Sequence, residues 1–195
     1  MELLELMKKR RSIRRYLDTK IEKEKLEKIM EAGVFAPNPG GRQATKIIML
    51  DNQELIEKIG IINANCENRN WGEAGVSTDQ PSIIDDLLIK SGFYNCPALA
   101  MVCIPKVNKT KVNAIGSAFV CAENIVLEAM ELGVSSCIVG RGEDTFNHPD
   151  IQALWKKWGI DEDFMPIVFV CLGYIKGNYP NIKPRNEGRI KFIKE

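Results

Sequence analysis

The chain has 195 residues, 45% of them hydrophobic and 27% charged, with a formal net charge of +1. That length and balance suit one globular domain, residues 1–195, with a substantial core. Near-neutral charge and 7% aromatics leave little for a nucleic-acid surface. No apolar run is read as long enough to span a membrane, and Met1-Glu2-Leu3-Leu4-Glu5 lacks the order of a secretory leader, so a cytoplasmic protein is expected.

Leu3, Leu4 and Met7 recur at helical spacing and predict a first helix ending near Arg10. Directly after it comes Arg10-Arg11-Ser12-Ile13-Arg14, three guanidinium groups and a hydroxyl within five residues. The planar arginine fork matches phosphate oxygens, so the cluster is a candidate anion cradle. It reads equally as a solvated helix end, where cations favour the negative pole of the dipole. Leu26, Ile29, Met30 and Val34 predict a second helix that stops before Pro37. In Ala36-Pro37-Asn38-Pro39-Gly40-Gly41-Arg42-Gln43 the glycines would let the backbone approach a flat ligand, although proline and glycine explain a plain turn as well.

Lys46 to Leu50 reads as a strand and Glu54 to Ile62 as a helix. Residues 63–82 read as a long loop or lid, followed by a short helix around Ile83 to Leu88. Trp71, Phe93 and Tyr94 are candidates for the wall of a substrate pocket or for ordinary packing. The apolar run Ala98 to Ile104 suits a buried central strand. Residues 113–132 carry the longest helical pattern, closed by Gly133, with small residues that suit close packing against a helix or a partner subunit. Ser135 to Val139 reads as a strand leading into Gly140-Arg141-Gly142, Ile151 to Trp158 as a helix, and Pro166 to Gly173 as a buried strand. The polar tail carries Lys183-Pro184-Arg185 and the alternating Ile190 and Phe192, the pattern of an edge strand.

Six cysteines fall at 66, 96, 103, 121, 137 and 171 with no C-x-x-C pair, so neither a disulfide framework nor a metal site is expected. Five sit among apolar or small neighbours and read as buried, whereas Cys66 lies in a polar stretch. The single histidine, His148, precedes Pro149 and Asp150 and reads as a helix start.

Taken in order, these segments resemble the nitroreductase family of flavin enzymes. Its R-R-S-x-R element is matched by residues 10–14, and its A-P-S-G-G-N-x-Q-P segment in part by Ala36 to Gln43. Its glycine-bearing turn after a long helix is matched by Gly133 to Gly142, and its closing G-Y and K-P-R by Gly173-Tyr174 and Lys183 to Arg185. The departures are Asn38, Pro39, Gly41 and Ala44, where the family carries serine, glycine, asparagine and proline.

The resemblance implies an α+β fold, a three-layer α-β-α sandwich around a mostly antiparallel sheet of four to five strands. It also implies a homodimer whose C-terminal arm contributes to the partner subunit. FMN would be held by Arg10, Arg11, Ser12, Arg14, Asn38 and Gln43, by backbone at Val139, Gly140 and Arg141, and by Lys183 and Arg185. Arg14 is the candidate for stabilising the reduced flavin, and no side chain is expected to act as a separate catalytic group. The implied activity is two-electron transfer from NADH or NADPH to nitroaromatics, quinones or related acceptors by a ping-pong cycle. Dehalogenation, flavin fragmentation and non-catalytic FMN binding are the alternatives.

Overall fold

The computed structural model describes residues 1–66, 91–106 and 111–193. Its elements are α1 (Leu3–Lys9), α2 (Lys23–Val34), a 3-10 turn (Pro39–Gly41), β1 (Lys46–Leu50), α3 (Gln53–Ala64) and β2 (Ala98–Pro105). There follow α4 (Lys111–Glu131), β3 (Ser135–Val139), α5 (Gly142–Phe146), α6 (Pro149–Lys157) and β4 (Phe164–Gly173). The short helix expected near Ile83 and the pocket wall expected at Trp71 fall outside the described residues.

The four strands form one antiparallel sheet in the order β1-β2-β4-β3. β2 and β4 occupy its centre and are buried almost end to end, which is why both appear in the sequence as unbroken apolar runs. α2 and α4 pack together over one face. α3 and α5 cover the other, where Phe93 stacks on Phe169 with ring centroids 4.8 Å apart. This is the expected α+β sandwich, with four strands and every pairing between them antiparallel.

α4 is the one helix among the described residues long and apolar enough to cross a bilayer, contrary to the expectation that no such run exists. It lies on the sheet, with Ala118, Ala122, Ile125, Val126 and Ala129 fully buried. Gly33 of α2 makes the close approach to it possible, because a Cβ there would stand 2.8 Å from both Ile125 and Ile47. Local signals set the other helix ends. Asn52 caps α3 by accepting from the Leu55 N–H at 3.0 Å, and His148 caps α6 by accepting at Nδ1 from the Asp150 N–H. His148 is therefore the helix start that its sequence context indicates.

Two extended segments dress the open edge of β3. Ser12 forms an isolated parallel bridge with Ser136, with the Ile13 N–H donating to the Ser136 carbonyl at 2.9 Å. After β4 the chain turns back beside the same N-terminal segment: Leu17 N–H donates to Tyr174 O, Tyr16 bridges Ile175, and Lys176 N–H donates to Arg15 O. The edge strand expected at Ile190 and Phe192 is not formed in the single chain; both side chains are exposed, and residues 187–193 carry no strand.

Candidate flavin-binding site

The arginine cluster leaves α1 in extended conformation, starting with Arg10 at φ −52° and ψ 134°. Alternation in an extended chain sends residues 10, 12 and 14 to one side and residues 11 and 13 to the other. Ile13 is fully buried. Ser12 hydrogen-bonds the Cys137 thiol of β3, and the charges of Arg14 and Arg10 are felt there. Burial pushes the Cys137 thiol up, while Arg14, a hydrogen bond with Ser12 and the charge of Arg10 act against that rise.

Among the described residues Arg10 has one loose ion pair, Nε to Glu123 Oε1 at 3.9 Å. The Arg14 guanidinium lies 5.9 Å from the centre of the Tyr94 ring. Burial raises the Tyr94 phenol above its ordinary value despite Arg14, so Tyr94 is a neutral partner near neutral pH. Phe93, the neighbouring pocket candidate, is fully buried and belongs to the core.

Arg11 faces away from this group. Its Nη1 donates to the carbonyls of Lys8 at 2.8 Å and Arg10 at 2.5 Å, and its Nε donates to the Asn181 carbonyl at 3.1 Å. Its own N–H donates to the Tyr179 hydroxyl. Lys183 and Arg185 follow this contact and are exposed.

Further along the β3 edge, Val139 is buried and Gly140 is exposed. Arg141 adopts a left-handed conformation, φ 64°, as the residue before α5. Its side chain turns inward, where Nη2 donates to Asn63 Oδ1 at 3.0 Å while Nη1 is buried with no partner among the described residues. Asn63, buried in α3, donates to the Gly140 carbonyl at 3.2 Å and to Thr145 Oγ1 at 2.9 Å. Thr145 in turn donates to the Arg141 carbonyl at 2.6 Å. Asn63 and Thr145 did not stand out in the sequence; the signal available was a polar residue at a buried position of an otherwise apolar helix face. Gly142 closes the turn, and a Cβ there would meet the Pro166 backbone at 2.5 Å.

Asn38 and Gln43 lie elsewhere. The Asn38 side chain accepts from the Gln43 N–H at 2.8 Å, fixing Gln43 at a φ of 49°. Their loop borders a shallow cleft between Pro39, Arg42 and Ala44 on one side and Pro105, Asn113 and Ser117 on the other. Strand register defines the separation from the arginines. Ser136 is level with Leu172 and so with Ala98, whereas Lys46, just beyond the loop, is level with Cys103. Ser12, outside β3, and Lys46, at the end of the 38–43 loop, thus occupy diagonal corners of the sheet, roughly 25 Å apart by strand spacing and rise.

The Nitroreductase family profile matches residues 7–174, and the chain belongs to that family. A relative from Archaeoglobus fulgidus, named "Putative NADH dehydrogenase/NAD(P)H nitroreductase", is 28% identical over 90% of this chain and 86% of its own length. A protein of the same name from Methanothermobacter thermautotrophicus is 23% identical over 89% and 78%. Among solved structures, a nitroreductase with bound FMN from Bacteroides fragilis superposes with a TM-score of 0.80 at 24% identity, covering all of both chains. A second with bound FMN, from Desulfitobacterium hafniense, gives 0.80 at 22% identity over 100% of this chain and 99% of its own.

Proposed function

We propose that the protein is an FMN-dependent oxidoreductase that moves two electrons from NADH or NADPH to a nitroaromatic, a quinone or a related acceptor in a ping-pong cycle. The observation that carries this reading is the donor face of Arg10, Ser12 and Arg14 beside the open edge of β3. Two guanidiniums and a hydroxyl on one side of an extended segment suit a phosphate and a polar chain attached to it. Among the described residues Arg10 has one distant carboxylate partner, so its fork can turn to an anion at little cost.

FMN, when bound, supplies hydride chemistry, while the protein supplies binding, orientation and electrostatics. Arg10 and Ser12 would hold the phosphate end, with Lys183 and Arg185 joining from the tail. Arg14, half-buried against Tyr94, would offset negative charge developing on the ring system. Asn63 and Thr145 keep the Gly140–Arg141 backbone in one conformation, so that the exposed Gly140 offers a flat approach to a ring edge.

The diagonal separation of Asn38 and Gln43 from the arginines supports a homodimer in which the partner's 38–43 segment closes the site. Gly116, Phe119 and Val120, exposed along α4, offer a packing surface, and the exposed Ile190 and Phe192 suit an arm docked on the second copy. Six unpaired cysteines agree with a reducing compartment such as the cytoplasm.

The test is anaerobic titration of FMN-loaded protein with NADH and with NADPH, followed by a quinone. Bleaching of the flavin band and its return on adding acceptor are expected, with parallel double-reciprocal lines in steady state. Bound FMN that neither donor bleaches would leave a binding protein or a different flavin chemistry.

A further inference from the structure

The structure assigns Arg11 a separate task from its neighbours: we infer that it is a positioning residue that clamps the C-terminal segment and thereby delivers Lys183 and Arg185 to the anion site. This inference rests on the FMN reading above for the identity of the anion. Arg11 spends its guanidinium on main-chain carbonyls, two at the end of α1 and one at Asn181 in the tail. Its backbone N–H also holds the Tyr179 hydroxyl. The tail is thus fixed at two points to the residue between Arg10 and Ser12.

The contact changes how the basic pair is tethered. The last paired tail position before it is Lys176, next to the Tyr16–Ile175 bridge. Measured from Tyr179, whose hydroxyl the Arg11 backbone N–H holds whatever the side chain, Lys183 hangs on four residues of chain; measured from Asn181, it hangs on two. Two residues span at most about 7 Å, so the clamp confines Lys183 near the Arg11 backbone. Closure probability for a flexible chain falls with the three-halves power of length, and a twofold shorter tether favours delivery about 3-fold. Arginine suits the task because its rigid fork serves several carbonyls at once, which a lysine ammonium on a flexible stem does less well.

Arg11→Ala and Arg11→Lys, each compared with wild type, test this. FMN affinity should fall about 3-fold in Arg11→Ala, whereas riboflavin, which has no phosphate, should bind as in wild type. In a Lys183→Ala/Arg185→Ala background, Arg11→Ala should cause no further loss of FMN affinity, since the cations it delivers are gone. A direct phosphate ligand would instead add its own loss there, and that result overturns the inference. A readout free of flavin is trypsin cleavage after Lys176 and Arg185 in apo protein, expected to accelerate several-fold in Arg11→Ala and less in Arg11→Lys. Unchanged cleavage in both variants also overturns the clamp. If wild type binds no FMN, the functional reading fails by itself, and the cleavage rates still decide whether Arg11 holds the tail.

Discussion

Asn63 and Thr145, 82 positions apart in the chain, meet in a buried 2.9 Å hydrogen bond that joins α3 to the turn after β3. Asn63 also holds the Gly140 carbonyl and receives the Arg141 guanidinium, so one amide satisfies three groups. Asn63→Leu would keep the side-chain bulk and strand those partners. Leaving a buried polar group unsatisfied costs about 1–3 kcal/mol. A domain of this size loses about 2–4 °C of Tm per kcal/mol, so a melt several degrees lower is expected. An unchanged Tm would mean the network contributes nothing to stability.

Arg10 offers a direct measure of the phosphate contribution. A hydrogen bond to a charged group contributes about 1.5–3 kcal/mol, so Arg10→Ala should weaken FMN about 10- to 150-fold. Riboflavin binding, measured by fluorescence quenching, should change little. Equal losses for the two ligands would place Arg10 away from the phosphate.

The proposed homodimer, with Arg10 and Arg14 of one chain and Asn38 and Gln43 of the other at each site, predicts complementation between damaged subunits. Chains carrying Arg10→Ala with Arg14→Ala, and chains carrying Asn38→Ala with Gln43→Ala, should each bind FMN poorly as pure dimers. After mixing and exchange, each heterodimer would contain one undamaged site, and absorbance at the flavin band should recover in part. No recovery after verified exchange would argue that one chain holds the whole site.

The thiols should respond unequally. Cys66 is only half-buried, whereas the other five cysteines are buried. A thiol reagent at pH 8 should modify one group rapidly, and Cys66→Ser should remove that fast phase. Burial pushes Cys121 up to about 11 from an ordinary value of 9.0, and raises Cys103 further. A thiol held neutral by folding stabilises the native state below its unfolded value, and that contribution is lost as pH rises. Thermal stability should therefore decline from pH 9 towards pH 11, less steeply in Cys121→Ala.

Much of this arrangement can be read from local pattern. β2 and β4 are buried on both faces and show as unbroken apolar runs, while His148-Pro149 marks the start of α6 by its capping chemistry. Within the arginine cluster Arg11 turns to carbonyls of α1 and of the tail, on the side of the extended segment opposite Arg10 and Arg14. No local pattern encodes that division. α5 is only five residues long, and Arg141 enters it in a conformation unusual for a side-chain-bearing residue, so neither follows from periodicity. The distance between Gln43 and Ser12 depends on strand order, which hydrophobic spacing leaves open.

The bridges from Ser12 to Ser136 and from Tyr16 to Ile175 have a consequence for biosynthesis. Residues 10–17 leave the ribosome well before their neighbours in the fold, Ser136 and Ile175, are made. At common elongation rates of about 5–20 residues per second, the arginine segment waits roughly 8–30 s before its tail partner exists. Until then its guanidiniums are available to other anions, including ribosomal RNA and nucleotides. Emergence of residues 174–176 is what ends that exposure, so a nascent chain stalled just after β4 would have its sheet strands but not the paired N-terminal segment.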